Sequence, residues 1–239
     1  MGCTIRCEWT DMSIAENIKK VQERIEKAAF RSGRNSEDIT LIGVTKTHGA
    51  EVINEGIEAG LTDIGENRVQ ELVGKYDAIN KDARIHLIGH LQSNKVKYIA
   101  DKVSMIHSVD SFKLAKEISD KSLSLGRVMD ILIQLNISGE ESKSGISPDK
   151  LDELLEQISQ LKGVFVRGLM TIPPIETGDM KLSREIFRKC NKIFVDKRAK
   201  IYDNIKMDIL SMGMSNDFEI AIEEGSTMVR VGRAIFGER

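Results

Sequence analysis

The order of hydrophobic and polar positions divides the chain into an opening helix and a long series of strand and helix units. Apolar residues recur every three or four positions from Ile14 to Ala29, which predicts an amphipathic helix that ends near Gly33. Ser13 and Glu16 stand where the two partners of a capping box belong, at the start of this helix. We therefore expect one helix to precede the rest of the fold.

After this helix, short apolar runs alternate with helical patterns. The runs typical of strands lie at residues 39–44, 63–65, 85–88, 103–107, 129–135, 164–170, 207–210 and 227–231. Such alternation is typical of parallel strands joined by crossover helices, and about eight strands are needed to close a barrel. The predicted fold is an α/β protein, a (β/α)8 TIM barrel with an extra N-terminal helix.

Two of the crossover helices carry recognisable start signals. Ser147 followed by Pro148 predicts the N-cap and first turn of the helix after strand five, and Gly163 predicts its end. After strand seven, Asn216 stands three residues before Glu219 and predicts the N-cap of the next helix.

No linker, low-complexity segment or charge block interrupts the series, so we expect residues 13–239 to form a single domain. Residues 1–11 show no periodicity. We therefore expect residues 1–12 to be a disordered leader, and we hypothesise that translation starts at Met12. A native N-terminus that begins before Met12 would refute this hypothesis.

Composition narrows the class of ligand. The formal net charge is −2 and 30% of the residues are charged, so the surface lacks the basic excess that binding to nucleic-acid phosphates requires. No apolar run approaches the roughly 18 residues of a membrane span, and no secretory signal pattern opens the chain. We expect a soluble protein with a small-molecule ligand, no nucleic acid and no membrane contact.

The cysteines are informative about the compartment. Cys3, Cys7 and Cys190 are too few and too scattered for a disulfide framework, and their spacing fits no zinc site. A reducing cytoplasm suits them. The sequence shows no exposed apolar stripe, so we expect a monomer.

A lysine follows the first predicted strand. In a (β/α)8 barrel the ligand site lies at the carboxyl ends of the strands, and the run that ends at Val44 leads through Thr45 to Lys46. Burial above an apolar interior would lower the pKa of the Lys46 amine and supply the nucleophile that an imine requires. A solvated loop lysine is the competing interpretation, and from position alone it is the commoner one.

The loops after strands seven and eight are where barrels of this kind hold phosphate. Residues 211–215 place Gly213 between two serines, Ser211 and Ser215, and Arg230 and Gly232 lie at the end of strand eight. A glycine turn flanked by hydroxyls that leads into a helix offers N–H groups to an anion. An ordinary strand-to-helix loop with a serine explains the pattern about equally well.

Other polar residues at strand ends are candidates for the same site, although most could simply satisfy loop backbone: Glu66, Asn67, Arg68, His90, Gln92, Asn94, Asn136 and Thr171. His86 and His90 are four residues apart, as in helical metal sites, but they straddle the end of a strand and no third ligand is evident. We therefore expect no metal site, and we expect His107 to be a hydrogen-bonded core histidine.

Taken in order, these motifs closely resemble the pyridoxal phosphate homeostasis proteins, the YggS/PROSC family. The resemblance extends from Ile39 to Gly237. Its most specific segments are VTK at 44–46, GENRVQE at 65–71, HLIGHLQSNK at 86–95, GLMT at 168–171, SMGMS at 211–215 and GSTMVRVGRAIFG at 225–237. So many ordered motifs do not agree by chance.

The resemblance implies an alanine racemase-like barrel that carries pyridoxal 5'-phosphate (PLP) as a covalent Schiff base, an aldimine, on Lys46. It implies that Arg230 lies near the pyridine nitrogen. By the same resemblance, the phosphate would be held around Ser211, Met214, Ser215 and Gly232, and the pocket would be lined by Asn67 and Met170.

Two functions compete for such a site: an amino-acid racemase or decarboxylase, and a protein that holds PLP and supplies it to apo-enzymes. An arginine at the pyridine nitrogen keeps that nitrogen neutral and weakens the electron sink of PLP catalysis. Full-length racemases of this fold also take an acid–base group largely from a tyrosine on a further β domain. The tyrosines here, Tyr76, Tyr98 and Tyr202, lie in or near predicted helices.

We therefore expect no catalytic residue and a role in PLP homeostasis. A third class, a nucleotide or sugar-phosphate barrel enzyme, shares the phosphate loops but has no use for an imine-forming lysine after the first strand.

Overall fold

Eight parallel strands close into a barrel in chain order among the described residues, and the last strand pairs with the first. The computed structural model describes residues 12–140, 144–174, 180–199 and 202–237. The expected leader, apart from Met12, lies outside the described residues, as do Cys3 and Cys7. The (β/α)8 prediction is confirmed.

The strands match the apolar runs of the sequence closely. They are β1 (Thr40–Val44), β2 (Asp63–Glu66), β3 (Arg84–Leu87), β4 (Met105–Val109), β5 (Met129–Leu135), β6 (Val164–Thr171), β7 (Ile205–Ser211) and β8 (Met228–Val231). The largest difference is in β4, which begins and ends two residues later than its apolar run suggests. Val103 is buried, but it lies before the strand, where residues 99–103 close a turn by backbone hydrogen bonds.

Helices surround the barrel and connect its strands. They are α1 (Ile14–Arg31), α2 (Ala50–Glu58), α3 (Val69–Lys75), α4 (Phe112–Ser124), α5 (Leu151–Ile158), α6 (Lys181–Lys197), α7 (Phe218–Glu223) and α8 (Arg233–Phe236). A 3-10 helix at Ser93–Tyr98 takes the place of an α-helix between β3 and β4. The main apolar core lies between the strands and these helices.

The opening helix begins as the capping box predicts. The Ser13 hydroxyl accepts a hydrogen bond from the Glu16 amide at 3.2 Å, and the Glu16 carboxylate accepts one from the Ser13 amide at 2.8 Å. The apolar stripe of α1 packs in one cluster with buried residues of α7, β8 and α8. The Asn17 side chain also donates to the Ile235 carbonyl at 3.0 Å, so α1 is part of the outer helical layer.

One of the two predicted helix starts is confirmed and the other is wrong by one residue. The helical segment after β5 begins with Ser147 as N-cap and Pro148 in its first turn, but this turn is a 3-10 turn, and the Ser147 hydroxyl donates to Asp149 instead of accepting a backbone amide. Its α-helical part ends at Ile158, before Gly163. The N-cap residue of α7 is Asp217 and not Asn216, and its carboxylate accepts the Met214 amide of the preceding turn at 2.6 Å.

The barrel interior is partly polar. Met105, Leu132 and Met170 form a small apolar cluster inside it. The side chains of His86, His107, Ser211 and Arg230 are also buried. No helix of the described residues is long and apolar enough to cross a membrane.

Candidate ligand site

A cavity of 460 Å³ opens at the carboxyl ends of the strands. The described residues that line it come mainly from strand ends and the loops that follow them: Val44, Lys46, Asn67, Ile88, Ile172, Pro174, Met180, Ser183, Met214, Ser215, Asn216, Asp217, Arg230, Gly232 and Arg233. Residues far apart in the chain meet here because parallel strands direct all their carboxyl ends to one mouth of the barrel. Apolar side chains and a few polar groups therefore share one concave site, as in typical small-molecule pockets.

Lys46 lies in a turn whose backbone is contacted by a side chain from α3. Thr47 has a positive φ of 68°, which is uncommon for a β-branched residue. The Lys75 ammonium group, from the end of α3, donates to the carbonyls of Thr45 at 3.1 Å and His48 at 3.0 Å. The Lys75 amine thus joins the two sides of the turn that carries Lys46.

Two carboxylates, those of Glu66 and Glu71, also contact the Lys75 amine. We call these three residues the Lys75 clamp. Lys75 Nζ lies 2.7 Å from Glu66 and 3.0 Å from Glu71, and Glu71 also accepts the Thr47 amide. Glu66 is fully buried. Burial raises the pKa of Glu66, and hydrogen bonds from Lys75 and Thr45 oppose that rise. The clamp therefore places an ion pair directly beneath the Lys46 turn.

Arg230 is buried at the base of the cavity. Its guanidinium donates to the Ser211 hydroxyl at 2.6 Å and to the Thr171 carbonyl at 3.1 Å. Burial lowers the pKa of Arg230 to about 10, and the charge of Asp217 opposes the decrease. The group stays positively charged at neutral pH, and it makes no salt bridge within the described part of the chain.

The loops after β7 and β8 form the opposite wall. Gly213 has a positive φ of 92°, and a Cβ there would lie 2.5 Å from the Ala221 methyl group, so the turn requires glycine. The Ser215 hydroxyl accepts the Gly232 amide at 3.3 Å. Burial raises the pKa of Asp217, and the Met214 amide and the charge of Arg230 oppose that rise. The wall presents hydroxyl and amide groups close to two arginines, Arg230 and Arg233.

Asn67 provides a direct test of whether the cavity suits a polar ligand. Its Oδ1 atom is buried and accepts no hydrogen bond from the described residues, although the residue lines the cavity. A buried acceptor without a donor costs free energy, so a donor on a bound molecule would stabilise it. The cavity thus holds an amine, guanidinium groups and an unsatisfied acceptor, which fits a ligand with an aldehyde, an anion and a hydroxyl.

Comparison with known proteins agrees with this geometry. The family model for the alanine racemase N-terminal domain matches residues 12–239. A protein of Aquifex aeolicus (strain VF5), named pyridoxal phosphate homeostasis protein, is 46% identical over 229 residues, which are 95% of this chain and 99% of that protein. The chain belongs to the pyridoxal phosphate homeostasis protein family. The names of such relatives describe homeostasis and not a catalysed reaction.

Solved structures agree on the family and the fold. PipY of Synechococcus elongatus PCC7942, in a structure with PLP bound, is 32% identical with a TM-score of 0.82, over 94% of this chain and 100% of that one. Alanine racemase of Clostridium difficile 630 is 16% identical with a TM-score of 0.71, over 94% of this chain and 57% of the racemase. The second comparison shows a shared barrel fold only.

Most of the predicted site residues meet at the cavity of this homeostasis-family chain. Lys46, Asn67, Met214, Ser215, Arg230 and Gly232 all line it. Ser211 and Met170 do not. Ser211 lies beneath the cavity on Arg230, and Met170 packs in the barrel interior with Met105 and Leu132.

Sequence reasoning missed several groups that shape the site. Asp217, Lys75 and Glu71 were not nominated, and neither was the exposed Arg233, whose guanidinium donates to Asn216 at 3.3 Å. Asp217 lies just beyond the predicted phosphate loop, so its position was a usable signal. Lys75 ends a helix, and nothing in its local pattern indicates that it reaches back to the strand ends.

The two histidines of the rejected metal pair lie in different environments. His86 is buried and contacts Asp63 and His107. His90 is exposed and lies in the loop that follows the carboxyl end of β3. Within the described ranges, no three His, Cys, Asp or Glu side chains group as a metal site.

Cys190 is a free, buried thiol, and burial raises its pKa to about 12.

Proposed function

We propose that the cavity binds PLP through a Schiff base with Lys46. The Lys46 amine would condense with the aldehyde to form a C=N bond, and the aldehyde oxygen would leave as water. The observation that carries the proposal is that Lys46, Arg230 and Gly232 line one cavity of 460 Å³. The PLP-bound structure of PipY, a relative at 32% identity, supports the same ligand.

The other lining residues would orient the ligand. The Ser215 hydroxyl would donate to the phosphate beside Met214 and Gly232, with Arg233 adding positive charge nearby. Asn67 Oδ1 would accept from the ring hydroxyl. Arg230 would donate to the ring nitrogen, and Ser211 would support the Arg230 guanidinium from below. In this proposal Met170 only packs beneath the ligand.

We propose that this site stores PLP and supplies it to PLP-dependent apo-enzymes in the cytoplasm. An arginine that donates to the ring nitrogen keeps the nitrogen unprotonated, which weakens carbanion stabilisation by the cofactor. None of the three tyrosines of the sequence lines the cavity. A free buried thiol such as Cys190 suits a reducing compartment. The alternative function is that of an amino-acid racemase or decarboxylase, and experiment must distinguish it from storage and supply of PLP.

Absorbance and reduction test the Schiff base. Purified protein with added PLP should show a visible imine band that borohydride abolishes, and mass spectrometry should place the reduced adduct on Lys46. Lys46→Ala should lose the band, whereas Lys97→Ala, on the exposed 3-10 helix, should keep it. A band that survives unchanged in Lys46→Ala would sink the assignment.

Transfer and turnover assays separate the two functions. The loaded protein should reactivate a PLP-dependent apo-enzyme, and a panel of amino acids should show no racemisation or decarboxylation above the background of free PLP. Robust turnover of any one amino acid would favour the enzyme. Reactivation no faster than with an equal concentration of free PLP would contradict supply by transfer.

A further inference from the structure

A continuous row of buried polar side chains runs along the barrel axis beneath the cavity. Arg230 Nη1 lies 2.6 Å from Ser211 Oγ, and Ser211 Oγ lies 3.2 Å from His107 Nδ1. His107 Nε2 lies 3.1 Å from His86 Nδ1. His86 Nε2 lies 2.8 Å from Asp63 Oδ1. We call these five residues the axial network.

The axial network connects the two ends of the barrel. Its members come from β8, β7, β4, β3 and β2, and each is at most 3% exposed. At its far end the other Asp63 oxygen accepts from Thr62 at 2.8 Å and from Arg84 at 2.9 Å. A second cavity, of 220 Å³, opens at the amino ends of the strands and reaches His86. The network thus spans the barrel from the ligand cavity to the opposite mouth.

Chemistry fixes the direction of the hydrogen bonds when both histidines are neutral. Burial would raise the pKa of Asp63, but hydrogen bonds from His86 and Arg84 hold it at about 2, so Asp63 is a carboxylate that only accepts. His86 must then donate from Nε2 and accept at Nδ1. His107 therefore donates from Nε2 and accepts the Ser211 hydroxyl hydrogen at Nδ1. Every donor points from Arg230 towards Asp63.

Protonation of His86 reverses this order. His86 then donates from both nitrogens, so His107 must accept at Nε2. Burial, with His86 and Arg230 nearby, lowers the pKa of His107 well below its ordinary value, so His107 stays neutral and carries its hydrogen on Nδ1. It now donates to Ser211. The Ser211 hydroxyl hydrogen is released from His107 and can turn to another acceptor.

We propose that Asp63, His86 and His107 are positioning residues that orient the Ser211 hydroxyl and, through it, the Arg230 guanidinium, and that protonation of His86 reverses their hydrogen bonds. In the neutral state Ser211 accepts a hydrogen bond from Arg230 alone, donates to His107, and so holds the guanidinium in place. In the reversed state Ser211 accepts from two donors. The proposal rests on the proposed function only for the identity of the ligand above Arg230.

Several titratable and charged groups face His86. Asp63 makes the direct contact from β2, and Arg84 pairs with Asp63 from β3. His107 faces it from β4. The other charged residues around the second cavity are Asp38, Asp130, Arg167 and Asp208, of which Arg167 pairs with Asp130 at 3.0 Å and with Asp208 at 2.7 Å.

Long-range ¹H–¹⁵N NMR of protein labelled at its four histidines tests the network without ligand and without mutation. In alkaline solution His86 and His107 should both be pure Nε2–H tautomers, whereas the exposed His90 should average its two forms. Wherever His86 carries a hydrogen on both ring nitrogens, His107 should be the neutral Nδ1–H tautomer. His107 as the Nδ1–H tautomer in alkaline solution, or a tautomer that does not follow His86, would overturn the proposal.

A ligand-bound measurement tests the positioning role. His107→Phe, which removes both ring nitrogens, should weaken PLP binding about tenfold and abolish the pH dependence of the bound ligand's absorbance. His107→Gln, whose amide keeps a donor towards His86, should restore part of the PLP affinity and part of the pH dependence. His90→Gln should leave both the affinity and the pH dependence unchanged. Unchanged affinity and pH profile in a folded His107→Phe would refute positioning, even where the NMR result stands. Failure of the Schiff-base proposal would instead appear as no imine band in the unmodified protein.

Discussion

At the scale of single residues, His107 shows how the barrel interior controls protonation. The imidazole is fully buried, and burial, with His86 and Arg230 nearby, lowers its pKa well below the ordinary value. The sequence predicted a hydrogen-bonded core histidine, and the structure confirms it. Its partners were not predictable, because His86 and Ser211 lie on other strands.

This lowered pKa predicts a loss of stability in acid. As the pH falls below about 6.5, the unfolded chain binds a proton at this imidazole but the folded protein does not, so the free energy of unfolding decreases. Between pH 7 and pH 5 the contribution of His107 should be about 2 kcal/mol. Urea unfolding should show that His107→Gln loses less stability over this interval than the unmodified protein. The exposed His90→Gln should follow the unmodified protein, and an equal loss in His107→Gln would contradict the assignment.

At the scale of elements, the end of α3 stabilises the turn after β1. The Lys75 clamp joins an α-helix, the last residue of β2 and the turn that carries Lys46. Glu66 Oε2 makes no hydrogen bond with the described residues, so the ion pair with Lys75 is the main compensation for burial of this carboxylate. The strained Thr47 backbone is held between these contacts.

Removal of the Lys75 charge should therefore be costly. Lys75→Met leaves Glu66 buried without its cation and should lower the free energy of unfolding by about 3–5 kcal/mol. Adding Glu66→Gln should recover a large part of this loss, since no buried charge remains. Lys116→Met, which breaks the exposed pair with Asp120, should cost less than about 1 kcal/mol. A double-mutant cycle by urea unfolding measures the coupling, and additive effects of Lys75→Met and Glu66→Gln would contradict it.

Elements were predicted better than their ends. All eight strands follow apolar runs that are visible in the sequence, because parallel strands covered by helices are buried on both faces. The starts of the helices were predicted less accurately. The predicted Asn216 cap was wrong by one residue, because Asn216 and Asp217 are both residue types that cap helices and the local pattern does not choose between them.

At the scale of the whole molecule, we propose that residues 13–239 form one domain, with α1 packed on the seam of α7, β8 and α8. Among the described residues, the large exposed apolar side chains lie on several elements, and Leu123, Leu125 and Val128 are neighbours at and just after the end of α4. Phe30 on α1 is 85% exposed, Val128 before β5 is 53% exposed, and Val195 on α6 is 51% exposed. Small numbers of exposed apolar residues are common on the surfaces of monomeric proteins.

We therefore expect a monomer. Sedimentation equilibrium at micromolar concentration should give the mass of one chain, with and without PLP. A mass of two chains that persists on dilution would contradict this prediction. Phe30→Glu would then test α1 as the interface, since a charge in a dimer contact should restore the monomer.

The sequence by itself determined the alternation of strands and helices, the barrel class and the place of Lys46, because burial periodicity and the order of elements are local properties of the chain. Its ordered motifs also identified the family. Only the tertiary structure decided the Lys75 clamp, the position of Ser211 beneath Arg230 and the axial network. These depend on the register between strands and on closure of β8 against β1, which bring together side chains that no local pattern relates.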